Sequence, residues 1–220
     1  MTDLKGKFIV FDGGEGCGKS TQAAMLADRL SREGHQVKPV HDPGTTNIGQ
    51  MIRQVLLNPE NTDMAMRCEM LLYMASRAQM MIESILPALE QGMIVISDRF
   101  VSSTLAYQLG GDGLTAEEIR KVADIAIKSR WPDLTFILDM PTDLSSARVQ
   151  PKFVLPFPDQ FKPKRTKDRI EQRSIDYHEQ VRKNYLDQAK ADPKRYRVID
   201  ATQAKDEVHE KIYAVLAGLK

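Results

Sequence analysis

FDGGEGCGKST, residues Phe11–Thr21, is the stretch from which the fold can be read. It contains GGEGCGKS, which fits the pattern G-x-x-x-x-G-K-[ST]. The apolar run KFIVF leads into it and a helical pattern, TQAAMLADRL, follows. Strand, glycine loop and helix in that order make a phosphate site. Gly13, Gly14, Gly16 and Gly18 let backbone N–H groups turn inward around a polyphosphate, and the helix beginning at Lys19 points its positive end at the same anion. Lys19 reads as a cation for the outer phosphates, and Ser20 as a hydroxyl for Mg²⁺. Cys17 reads as a small spacer. Glu15 is unusual, because a carboxylate in such a loop is repelled by a triphosphate. It is either a solvated acid or an acid aimed away, at a second ligand that offers a hydroxyl or amine.

Working outward, four more short apolar runs end in an acid: HQVKPVHD, GMIVISD, DLTFILD and RYRVID. With KFIVFD they predict five buried parallel strands, near 7–12, 35–42, 92–98, 133–139 and 195–200. Helical patterns near 18–33, 47–57, 63–90, 115–130, 142–150, 168–190 and 204–218 fall between or beyond them. Gly34 and Gly92 are placed to end two helices, and Pro87 to kink or end the third. The expected architecture is a P-loop three-layer α/β/α fold with a five-stranded parallel sheet. A single domain is expected over 1–220, with a proline-rich lid or insertion at about 150–170. Ligands of such sheets bind at the carboxyl ends of the strands, where Asp12, Asp42, Asp98 and Asp139 lie.

The totals narrow the class. The chain has 220 residues and a net charge of +1, so bulk charge argues for neither nucleic acid nor an acidic membrane. Two cysteines far apart fit no metal spacing, and no apolar run is long enough to span a bilayer. The N-terminal residues lack a signal-peptide pattern, so a cytoplasmic location is expected. The basic stretch KPKRTKDRIEQR (162–173) calls for a local partner. No N-K-x-D motif is present. A kinase acting on a small phosphorylated acceptor is therefore the leading reading.

Four stretches carry a more specific likeness: FDGGEGCGKST, PGTTNIGQMIRQVLL (43–57), DRFVSSTLAYQ (98–108) and DRIEQRSIDYHEQVRKNYL (168–186). Together, and in this order, the chain resembles the thymidylate kinases of bacteria, of the type that carries its catalytic arginine in the lid. The resemblance implies transfer of the ATP γ-phosphoryl group to dTMP. It places Gly13, Gly14, Glu15, Gly16, Cys17, Gly18, Lys19, Ser20 and Thr21 at ATP, with Arg148 and Gln203 on the adenine side. Ser20 and Asp98 would serve Mg²⁺. Asp12, Glu15, Arg53, Tyr73, Arg77, Arg99, Ser103, Thr104, Tyr107 and Gln108 would surround dTMP. Within that set Glu15 would accept the 3′-hydroxyl, Arg53 and Arg99 would hold the acceptor phosphate, and Tyr73 would stack on the base. Arg77 would donate to a base carbonyl, and Tyr107 would crowd the 2′ position. Lys19, Glu15, Asp98 and Arg99 are the implied catalytic groups. Arg165 and Arg169 are the lid candidates, with Arg169 favoured. Six of the eleven methionines fall in the third helix, in a pattern apolar around much of its circumference. Family members pair through this region, so a homodimer is expected. His41 and Phe100 stand where the family usually has an arginine and a tyrosine or histidine. A kinase for another nucleotide and a non-catalytic nucleotide-binding module are the competing readings.

Overall fold

A computed structural model of the chain describes residues 4–148 and 168–218. Five strands form one parallel sheet: β1 (Phe8–Gly13), β2 (Val37–His41), β3 (Ile94–Asp98), β4 (Leu134–Asp139) and β5 (Tyr196–Asp200). Their order across the sheet is β2-β3-β1-β4-β5. All six residues of β1 are buried, because both faces of the central strand are covered. Ile9 and Phe11 enter one core with Leu26 and Leu30 of α1 (Lys19–Arg32) and Ile212 of the C-terminal helix Lys205–Ala217. Phe8 and Val10 enter the other with Met81, Phe100 and Val101. The period of two along one strand thus fills two cores.

The chain leaves β1 towards the first core through α1, and leaves β3 towards the second through the helix Val101–Tyr107. Neighbouring strands whose connections diverge in this way open a crevice at their carboxyl ends. There Phe11 is in register with Asp98, so the phosphate loop and the segment after β3 face one another.

Three elements differ from the sequence expectation. The helix Val101–Tyr107, α5 of the chain, carried no periodic signal because all seven of its residues are buried. The pattern over 63–90 forms α3 (Met66–Met80), a π-turn (Met81–Ile85) and α4 (Leu86–Glu90). Pro87 lacks an N–H, and the wider turn ahead of it has Leu86 N–H donating to Met81 O, five residues back. The helix expected from 168 begins only at Ile175 and runs to Ala191 as α8. Before it, Asp168 accepts the N–H groups of Ile170 and Glu171 at 3.0 and 2.9 Å, and Ser174 caps the helix by accepting from Tyr177 N. The remaining helices are α2 (Asn47–Leu57), α6 (Ala116–Ile127), α7 (Thr142–Arg148) and α9 (Lys205–Ala217). Among the described residues, no helix is long and apolar enough to cross a membrane.

Gly13 closes β1 with φ 139°, and a Cβ there would lie 2.5 Å from the Leu138 carbonyl oxygen of β4. Backbone strain and overlap with a buried strand both oppose any side chain. Gly13→Ala is expected to cost on the order of 2–5 kcal/mol of stability. Thermal unfolding checks this, and a melting temperature within about 1 °C of the parent would contradict it.

Candidate active site

The phosphate loop turns on left-handed glycines, with φ 71° at Gly16 and 93° at Gly18. Helix α1 then starts at Lys19 with no side-chain cap and no acid in its first turn, so its free N–H groups face the loop. Lys19 Nζ lies over the loop, 2.5 Å from the Gly14 carbonyl. Cys17 is buried, donates its thiol to the Gly14 carbonyl at 3.0 Å, and has its pKa pushed up by burial. Ser20 Oγ donates to Asp98 Oδ2. That pair supplies two hard oxygen ligands, and no group of three His, Cys, Asp or Glu that could hold a metal is found among the described residues. Such a set suits a cation held largely by phosphate oxygens and water. The cavity over the loop is lined by Gly16, Gly18, Lys19, Ser20 and Thr21, and on its far side by His41, Arg53, Asp98, Arg99 and Arg148.

Arg99 joins this cavity to the next. It directly follows β3 with φ 71°, unusual for a residue with a Cβ. Its N–H donates to the Phe11 carbonyl at 2.9 Å, which pins it beside β1. Its Nη2 donates to Glu15 and lies 3.3 Å from the Tyr107 hydroxyl, while Nη1 donates to Ser103 Oγ at 3.0 Å. Asp12 lies 3.7 Å behind it. Burial works against the Arg99 charge, but Glu15, Tyr107, Tyr185 and Asp12 outweigh it and hold the guanidinium protonated well above its ordinary range. Glu15, held by Arg99, lines both the phosphate-loop cavity and the second cavity, at the place where the two meet.

That cavity is lined by Glu15, Arg53, Tyr73, Arg77, Arg99, Ser103, Thr104, Tyr107 and Gln108, together with Asp42, Pro43, Leu57, Asp168 and Ile170. Thr46 caps α2 by accepting from Gly49 N, and α2 carries Arg53, whose Nη1 donates to the Pro43 carbonyl at 2.9 Å. Arg77 is 1% exposed; its Nε donates to Asp42 Oδ2 and its Nη1 to Thr104 Oγ1, both at 2.6 Å. Burial raises the Asp42 pKa although Arg77 opposes it. The Tyr73 ring lies 5.6 Å from the Arg77 guanidinium, and burial pushes its phenol up.

Of the residues expected at the acceptor, nine thus line one cavity and Asp12 does not. Asp12 is fully buried behind it, where Ser103 Oγ and Tyr185 O–H donate to its Oδ1 at 2.5 and 2.8 Å. It holds Ser103 and backs Arg99, and it lines none of the cavities described here. Arg169 also differs. It is 8% exposed, donates from Nε to the Leu56 carbonyl at 3.0 Å, and pairs through Nη2 with Glu69 of α3. A guanidinium so engaged holds the turn before α8 against α3, and it lines none of the cavities described here. Arg165 lies outside the described residues. Arg148 lines the loop cavity and donates to the Ala201 carbonyl at 3.4 Å, whereas Gln203 accepts from Lys211 and borders none of these cavities. Glu69, Tyr185 and Arg173 were missed. Arg173 ends the basic stretch that called for a partner, whereas nothing local marks Glu69 or Tyr185, whose partners come from distant elements.

The family model for thymidylate kinase matches residues 11–212. The chain is 41% identical over 215 residues to the thymidylate kinase of Neisseria gonorrhoeae and 39% identical over 215 residues to that of Halothermothrix orenii, covering 98% of this chain and of the relative in each case. The crystal structure of thymidylate kinase from Ehrlichia chaffeensis superposes with a TM-score of 0.74 at 29% identity, over 96% of this chain and 98% of that one. The chain belongs to the thymidylate kinase family. Within that family frame, Phe100 is a core residue: it is fully buried and meets Phe8 edge-on at 4.9 Å. Its lack of a hydroxyl therefore leaves the cavities unchanged. His41 does border the loop cavity, and burial lowers its pKa, so it presents a neutral ring where an arginine would present a charge.

The Asp42–Arg77 pair is open to a stability test. Arg77→Leu strands a buried carboxylate and should cost on the order of 3–5 kcal/mol. The Asp42 pKa, already raised, should rise further without its partner. The native state then keeps a proton that the unfolded chain releases, so stability is lost as pH rises through that pKa and regained as pH falls. The gap between variant and parent in thermal unfolding should narrow from about pH 7.5 to about pH 5. A gap independent of pH would show that Asp42 does not depend on Arg77.

Proposed function

We propose that this chain transfers the γ-phosphoryl group of ATP to dTMP, giving dTDP and ADP. The observation that carries the reading is the junction at Arg99 and Glu15, where a phosphate-loop cavity meets a pocket lined by an aromatic ring, a buried arginine and a buried amide. A dTMP phosphate oxygen bonds to the γ-phosphorus as the bond to the β–γ bridging oxygen breaks. The residues align the two phosphates and offset their charge, with no covalent enzyme intermediate.

Lys19 and the loop N–H groups would hold the donor. Arg99 and Arg53 would hold the acceptor phosphate, for which a guanidinium fork is suited. Glu15 would take the 3′-hydroxyl, leaving Tyr107 beside the 2′ carbon. Ser20 and Asp98 would hold Mg²⁺, which would offset negative charge on the ATP phosphates. With Arg169 held by Glu69, the lid cation of the proposal is Arg165, in a single kinase domain whose lid lies at about 150–170. A cytoplasmic location suits a nucleotide-supplying enzyme.

A homodimer is supported by apolar side chains on α2 and α3 that stand in solvent: Met51 is 58% exposed, Leu71 53% and Val55 42%. Leu71→Arg with Met51→Glu should convert a dimer to a monomer in sedimentation. A parent that sediments as a monomer would end the proposal.

Incubation of ATP–Mg²⁺ with a panel of monophosphates tests the reaction. Turnover should be best with dTMP, mildly lower with dUMP and much lower with UMP, AMP and GMP. The methyl contributes only ~1 kcal/mol by burial. AMP or GMP turned over as well as dTMP would sink the reading. Arg99→Lys should lose on the order of 2–5 kcal/mol in dTMP efficiency with ATP binding nearly unchanged, because an ammonium lacks the fork.

A further inference from the structure

Glu69 is a fully buried carboxylate on α3, and nothing in the phosphoryl transfer itself uses it. Its two oxygens have different partners. Oε2 accepts from Arg169 Nη2 and, at 2.6 Å, from Arg173 Nη2. Oε1 accepts from Gln108 Nε2 at 2.7 Å. Gln108 is 1% exposed and lines the acceptor cavity, and its Oε1 is buried with no hydrogen-bond partner among the described residues.

A carboxylate between two guanidinium groups can only accept. The amide of Gln108 must therefore turn its nitrogen to Glu69, and its oxygen is left without a protein partner at the wall of the cavity that Gln108 lines. Arg77 lines the same cavity and can only donate; its Nε and Nη1 are taken by Asp42 and Thr104. A base in this pocket thus meets one wall residue that can only donate and another whose unpartnered oxygen can only accept. Thymine and uracil present the complement, a carbonyl at position 4 and an N–H at position 3. Cytosine presents the reverse, an amine at 4 and a bare nitrogen at 3.

We infer that Glu69 is a positioning residue that sets base specificity, by fixing the Gln108 amide so that the pocket accepts 4-oxo pyrimidines and rejects 4-amino ones. The inference rests on the pyrimidine-monophosphate reading proposed above.

Glu69→Gln tests it through a reversal. Arg169 and Arg173 still require an acceptor, so the new carboxamide keeps its oxygen towards them and turns its NH₂ to Gln108. Gln108 then flips and offers its own NH₂ to the base. The efficiency ratio of dCMP to dTMP should rise at least about tenfold, the worth of one hydrogen bond exchanged for a mismatch. A residue that only supports the fold would lower both acceptors alike and leave the ratio where it was, and that result overturns the inference. Should Glu69→Gln fail to fold, Glu69→Asp serves in its place: the shorter carboxylate keeps the charge facing Arg169 and Arg173 but withdraws from the Gln108 amide, and the same dCMP to dTMP ratio should rise. A ratio equal to that of the parent overturns the inference. A parent inactive on dTMP but active on purine monophosphates would instead remove the reading underneath. Normal dTMP turnover with an unmoved ratio removes only the role of Glu69.

Discussion

Arg99 is a cation embedded between two carboxylates, with Asp12 behind it and Glu15 in front. Its place follows from sheet register. β1 and β3 are parallel neighbours with Phe11 opposite Asp98, so the residue after Asp98 emerges beside the phosphate loop. The Arg99 N–H on the Phe11 carbonyl holds the backbone in a left-handed conformation that would otherwise be costly. Asp12, fully buried, would be expensive as a lone charge. It is matched by Arg99 and by hydroxyls from Ser102, Ser103 and Tyr185. The donor loop, the acceptor cavity and helix α8, which supplies Tyr185, therefore meet on one guanidinium.

Two further buried charges follow the same logic. Asp42 at the end of β2 is matched by Arg77 on α3, and Glu69 on α3 by Arg169 and Arg173 ahead of α8. Each pair is dear to break and contributes little net stability when whole, so its value lies in geometry. Asp42 and Thr104 fix the plane of Arg77, and Glu69 fixes the direction of Gln108. The acceptor cavity is thus walled by polar groups that cannot reorient freely. That is the condition under which hydrogen-bond complementarity discriminates between bases.

Local pattern determined much of this protein. FDGGEGCGKST specifies a strand, a loop and a helix within eleven consecutive residues, since glycine φ values and a helix N-terminus are local properties. The five strands were legible from short apolar runs ending in acids, and all five formed. Tyr73 and Arg77 share a cavity because a spacing of four on one helix puts them on one face.

What the tertiary structure alone decided is which charge meets which. Arg169 reads as a lid cation from its neighbours in sequence, yet its partner is Glu69, 100 positions away. Asp12 reads as a ligand group at a strand end, yet it is capped by Tyr185, 173 positions away. The α5 helix had no visible period because the protein buries it on every side. The free energy of a buried charge depends on what surrounds it in space, and that environment is assembled from elements whose separation along the chain carries no local signal.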